Sequence, residues 1–174
     1  MIKLIKSTFQ NEAETKKKLV NVIQTSQIMS FGPECEKFEK QFAKWQGRQH
    51  CVFVNSGSSA NLAVIQSLLN EGRIKHGDKV GVSALTWSTN VMPVIQLGLT
   101  AVPIDVELDT LNVSSTMLRK TLRRHEIRVL FLTNLLGFCD DIAELRYICK
   151  QEDIILIEDN CKSLRTVYRG EKLG

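Results

Sequence analysis

The sequence is poor in aromatic residues, which make up 6% of its 174 residues, and it has no strong charge of one sign. With Lys+Arg at 23 and Asp+Glu at 19, the net charge is +4. The two basic clusters, Lys16-Lys17-Lys18 and Arg119-Lys120 with Arg123-Arg124, lie in helical patterns without interleaved aromatics. They read as solvated helix faces, and a nucleic-acid surface is not expected. The longest apolar stretch, Val129 to Phe138, is broken by Thr133 and Asn134 and is too short to span a bilayer, so no membrane association is expected. Met1 to Lys6 lacks the apolar stretch and cleavage site of a signal peptide. The five cysteines show no CxxC spacing, and no Cys/His cluster has zinc spacing. Reduced thiols in mostly apolar surroundings and a cytoplasmic location are the expectation. His50, His76 and His125 are scattered among polar neighbours and read as surface residues. There is no internal repeat, low-complexity segment or linker. No GxxxxGK[ST] is present, which excludes a P-loop, and no GxGxxG follows the first apolar run.

What is present is an alternation. Two helices open the chain: roughly Glu12 to Gln27, with Leu19, Val20 and Ile23 at helical spacing, and one beginning at Gly32-Pro33 and ending at Gly47. Phe38, Phe42 and Trp45 recur at i, i+4, i+7 in the second and predict a core-facing stripe. Short β-branched runs follow at Cys51–Val54, Lys79–Val82, Ala101–Ile104, Val129–Leu132 and Ile154–Ile157. Helical patterns separate them at Ser59–Leu69, Ser88–Leu97, Ser114–Arg124 and Asp140–Gln151. Apolar strands alternating with helices predict an α/β fold of three α/β/α layers around a mostly parallel sheet.

Ligands of such sheets collect at the carboxyl ends of the strands. Those ends carry Ser56-Gly57-Ser58-Ser59, then Thr86-Trp87-Ser88-Thr89-Asn90, Asp105, Asn134 and finally Glu158-Asp159-Asn160-Cys161. A Gly/Ser turn opening a helix suits a phosphate, because free N–H groups and the helix dipole point at it. Trp87 offers a flat ring surface and is equally compatible with core packing. Asp159 is compatible with a helix cap or, with Glu158, a magnesium ion. An anion cradle, a ring surface and a carboxylate together suit pyridoxal 5'-phosphate (PLP), whose pyridine nitrogen needs an acidic partner.

The order and spacing of six blocks resemble the DegT family of PLP-dependent nucleotide-sugar aminotransferases, which have the type I aminotransferase fold. The blocks are Phe31 to Glu39, Asn55 to Asn61, Thr86 to Asn90, Gly98 through Asp105 to Asn112, Leu135 to Asp141 and Ile157 to Cys161. The resemblance implies that Gly57, Ser58 and Ser59 hold the cofactor phosphate, Trp87 stacks on the pyridine ring and Asp159 pairs with its nitrogen. Lys162 stands beside the ring where the family usually has glutamine or histidine, and Asn134 stands where many members have histidine.

Family members run to about twice this length. The resemblance therefore implies that residues 1–174 comprise the N-terminal helices and the first part of the PLP-binding large domain. The residue that defines the chemistry, lysine in aminotransferases and histidine in a deoxy-hexulose 3-dehydratase branch, is expected on a later segment. The implied substrates are a nucleotide-linked keto sugar and an amino donor such as glutamate, in amino-sugar or lipopolysaccharide biosynthesis. A homodimer is expected, because the family builds its site across a dimer interface. The alternatives are the 3-dehydratase and a non-catalytic fragment or dimer partner. Lacking the neighbours of its first strand, the isolated chain is expected to be marginally stable or self-associating.

Overall fold

The computed structural model describes residues 9–174. They divide into two compact units, residues 9–53 and 54–174.

In the first unit, α1 (Glu12–Thr25) carries Glu12 and Glu14 in its first turn, where the dipole favours acid. Each pairs with a lysine one turn on: Glu12 with Lys16 at 2.5 Å and Glu14 with Lys18 at 2.7 Å. No residue of α1 is buried, so Leu19, Val20 and Ile23 form an exposed apolar row. Helix α2 (Pro33–Gln46) starts with Pro33 at its first turn and ends at Gly47, whose φ of 76° lets its N–H turn back onto the carbonyls of Ala43 and Lys44. The stripe expected to face a core is instead a partly open aromatic cluster. Phe38 stacks on Phe42 at 5.6 Å, Phe42 meets Trp45 at 5.4 Å and Phe53 meets Phe38 edge-on at 5.1 Å. The rings cover one another, but Phe38 and Trp45 stay 45% and 38% exposed.

The expected strand at Cys51–Val54 does not form; this segment is irregular and pairs with no strand. An extended apolar run becomes a strand only when a neighbour satisfies its backbone, and among the described residues no strand pairs with this one.

In the second unit, α3 (Gly57–Asn70), β1 (Lys79–Ser83), α4 (Ser88–Gln96), β2 (Thr100–Ile104), α5 (Ser115–Leu122), β3 (Val129–Thr133), α6 (Ile142–Gln151) and β4 (Ile155–Asp159) follow in sequence. A 3-10 turn at Leu135–Gly137 follows β3, and the hairpin β5 (Val167–Tyr168) and β6 (Glu171–Lys172) closes the described chain. The sheet order is β2-β1-β3-β4, every pair parallel. One apolar cluster joins α3 and α4 to Val80, Val82, Val129 and Phe131. The other joins α5 and α6 to Val102, Ile104, Leu130 and Leu132. Residues alternate between the two along each strand, because side chains alternate across a sheet, and this gives the three layers. Gly81 leaves room for that packing: a β-carbon there would lie 2.8 Å from Ile104 Cδ1 and 2.9 Å from Ile127 Cδ1, and those side-chain ends would have to shift.

The chain moves from β1 outward to β2, then crosses back to place β3 on the other side of β1. That reversal opens a crevice at the carboxyl ends of β1 and β3, where open parallel sheets bind ligands. Among the described residues no helix is long and apolar enough to cross a membrane.

Candidate functional site

The crevice holds a cavity of about 670 Å³, within the usual size of small-molecule sites. Gly57, Ala60, Asn61 and Val64 of α3 form one wall, and the loop after β1, with Leu85, Thr86 and Trp87, forms another. Phe131, Thr133 and Ile157 line its sheet side, and residues 158–162 run along its edge.

Asp159 ends β4, in register with Thr133 of β3. Both of its carboxylate oxygens are engaged: Oδ2 accepts from Asn90 Nδ2 at 2.7 Å and Oδ1 from the Cys161 N–H at 2.9 Å. Both donors are neutral, an amide and a backbone N–H, so neither offsets the carboxylate's charge. Glu158, next to it, turns the other way. Its Oε1 accepts from Arg146 Nη2 at 2.7 Å and Nε at 3.1 Å, and its Oε2 from Asn134 Nδ2 at 3.3 Å. Asn134 also donates to Asn160 Oδ1 at 2.7 Å. The alternation along β4 thus denies a metal ion joint use of Glu158 and Asp159, the arrangement a magnesium site here requires.

Trp87 is the cap residue before α4 and is 71% exposed, so the core-packing reading of this ring fails. Behind it, Thr86 Oγ1 and Thr133 Oγ1 are 2.6 Å apart and tie the loop after β1 to the end of β3. Asn61 Nδ2 donates to the Thr89 carbonyl at 3.2 Å and ties α3 to the first turn of α4.

At the start of α3, Ser56 is extended and its Oγ accepts the Ser59 N–H at 3.2 Å, closing the N-cap. Of Gly57, Ser58 and Ser59, only Gly57 lines the cavity; the two serines sit beside it in the same turn. Lys162 lines the cavity and is its one lysine. The structure thus gathers Gly57, Trp87, Asp159 and Lys162 around one space.

All five cysteines are free. Cys149 is buried on α6, and burial, with Glu158 adding to it, pushes its thiol up to about 11. Burial likewise raises Cys139 and Cys51. Cys161 is exposed and lines the cavity. The three histidines are exposed, as expected.

Sequence reasoning missed Asn90 as the partner of Asp159, and Arg146 as that of Glu158. The signal for Asn90 was available. It lies four residues before Val94, so helical spacing sends a polar amide to the face of α4 that packs on the sheet.

Residues 10–174 match the model of the DegT/DnrJ/EryC1/StrS aminotransferase family. The chain belongs to this family. Its relatives include the GDP-4-keto-6-deoxy-D-mannose 3-dehydratase of Escherichia coli O55:H7, 33% identical over 90% of this chain and 41% of that protein. The dTDP-4-dehydro-2,6-dideoxy-D-glucose 3-dehydratase of Saccharopolyspora spinosa is 37% identical over 82% of this chain and 32% of that protein. GDP-perosamine synthase of Vibrio cholerae is 27% identical over 94% and 43%. Among solved structures, the E. coli GDP-4-keto-6-deoxy-D-mannose-3-dehydratase with bound hydrated PLP superposes with a TM-score of 0.90 at 32% identity, covering 98% of this chain and 43% of that one. The described residues therefore form part of the type I PLP-dependent transferase fold. The chain spans less than half the length of these relatives.

Proposed function

We propose that this chain contributes the ring-binding part of a PLP-dependent site that acts on a nucleotide-linked keto sugar. The observation that carries the reading is the Asp159 carboxylate, held by two neutral donors at the edge of a cavity that also exposes the Trp87 indole. That donor set fits PLP: an ionised carboxylate suits a protonated pyridine nitrogen, and an open indole suits a flat ring. In this reading Asp159 holds the proton on the ring nitrogen, and Trp87 stacks on the ring and excludes water from one face. Gly57, Ser58 and Ser59 offer the start of α3 to the phosphate, and Lys162 adds a positive charge beside the ring. Bound there, PLP supplies an electron sink for carbanion chemistry.

By this reading residues 1–174 are the N-terminal helices and the first part of a PLP-binding domain. The substrate partners are a nucleotide sugar and an amino donor such as glutamate, the assembly is a homodimer and the compartment is the cytoplasm, in amino-sugar or lipopolysaccharide synthesis. Aminotransfer is the reaction the family description names. The 3-dehydratase reading is favoured by identities of 33% and 37% to two proteins of that name, against 27% to the perosamine synthase. Reading the source gene beyond the codon for Gly174 separates the two: lysine at the position that defines the chemistry supports transfer, histidine dehydration.

Binding is tested with pyridoxamine 5'-phosphate, which has no aldehyde to react with surface lysines. In a Trp45→Phe background, saturable quenching of Trp87 fluorescence is expected. A linear, non-saturating response overturns the proposal.

A further inference from the structure

We infer that Asn90 is the positioning residue of the cofactor site: through its 2.7 Å bond to Asp159 it fixes the carboxylate that the ring nitrogen meets. The inference rests on the reading above and adds a residue to it.

Asn90 is 1% exposed in the first turn of α4. An ionised carboxylate only accepts, so the amide must present its NH₂ to Asp159. A buried polar side chain is costly unless bonded, which makes Asp159 the reason an amide is tolerated in this position. The same turn carries the rest of the site. The Asn90 N–H donates to the Trp87 carbonyl at 3.0 Å, and the neighbouring Thr89 carbonyl takes the Asn61 amide of α3. One helical turn therefore sets the distance between the indole, the carboxylate and the start of α3. Asn90 is the link in it that reaches across to β4.

The choice of amide has a chemical consequence. A carboxylate at this position would compete with Asp159 for one proton, since two close carboxylates do not both ionise readily. A cationic partner would draw on the charge the ring nitrogen needs. The amide donates without doing either. The other titratable groups lining the cavity are Glu158, Lys162 and the Cys161 thiol. Glu158 is turned toward Arg146 on α6. From α3 and α4 the lining is neutral, and from β3 it is Phe131 and Thr133.

The test is NMR titration of Asp159 with ¹³C-aspartate labelling, in the 174-residue chain without ligand. Asn90→Asp keeps the side-chain shape. The expected result is an upward move of the Asp159 midpoint with unchanged far-UV circular dichroism. Pyridoxamine 5'-phosphate affinity relative to wild type should fall about ten-fold at pH 8 and recover as pH drops toward 5.5, where the introduced acid can donate. An unmoved midpoint in the folded variant overturns the inference. If Asn90→Asp does not fold, the wild type decides: one Asn90 amide proton should sit downfield and shift as Asp159 titrates, and an amide blind to that titration overturns the inference. A wild type that binds no pyridoxamine phosphate defeats the cofactor reading alone, because the Asp159 midpoints are read without ligand.

Discussion

Glu158 and Asp159 are consecutive in β4, yet their carboxylates are held from opposite faces of the sheet, one by Arg146 of α6 and the other by Asn90 of α4. The inner charge is neutralised by a guanidinium, and the outer one is left net negative beside the cavity. Two neighbouring acids thereby acquire different tasks from strand alternation alone.

Removing the outer acid should act chiefly on the ring contact, with a stability cost of about 1–3 kcal/mol from the buried Asn90 amide it leaves unbonded. Asp159→Ala is expected to weaken pyridoxamine 5'-phosphate by about 10- to 100-fold, the weight of one charge-assisted hydrogen bond. Fluorescence titration measures it; affinity within two-fold of wild type would contradict the assignment.

Removing the partner of the inner acid should do the reverse. The Glu158 side chain is 8% exposed and Arg146 34%. Arg146→Ala leaves a buried carboxylate without its cation and should cost about 3 kcal/mol, the lower end of the range for breaking a buried pair because the arginine is partly solvated. Urea unfolding reads the loss.

Trp87 is open to solvent, so its loss should cost little stability. Trp87→Ala is expected to change unfolding free energy by less than about 0.5 kcal/mol and to weaken the ring ligand by about two- to ten-fold. A large loss of stability would return Trp87 to the core.

The buried thiol predicts an alkaline limit. The Cys149 thiol sits at about 11 in the folded chain against an ordinary 9.0. The folded state therefore binds more protons than the unfolded state between those values, and stability falls as pH rises through that window. Below pH 9 the group contributes no pH dependence. Cys149→Ala should flatten the slope of stability between pH 9 and 11. In native labelling with a maleimide, exposed Cys161 should react early, Cys149 only after unfolding, and a bound ring ligand should protect Cys161.

Exposed apolar surface predicts association. Leu19, Val20 and Ile23 of α1 and the segment with Val52, 80% exposed, leave the 174-residue chain with unsatisfied hydrophobic area. Sedimentation should reveal self-association, or urea a weak transition. A cooperative, monomeric transition of ordinary stability would contradict this.

The sequence by itself determined the alternation. Short apolar runs alternating with helical patterns located β1, β2, β3 and β4, and Pro33, Gly47 and the Gly/Ser turn at residues 56–59 marked helix ends, because each signal is local to its own few residues. It also brought Trp87 and Asp159 together, since strand ends in a parallel sheet share one edge. Tertiary structure alone decided the rest. Cys51–Val54 has strand composition but no partner strand among the described residues, and pairing is a property of neighbours. The aromatic stripe of α2 has core periodicity but packs on its own rings and on Phe53, and stays partly open. Asn90 reaches Asp159 across 69 positions of sequence, a contact that no local pattern encodes and that only the stacking of α4 on the sheet creates.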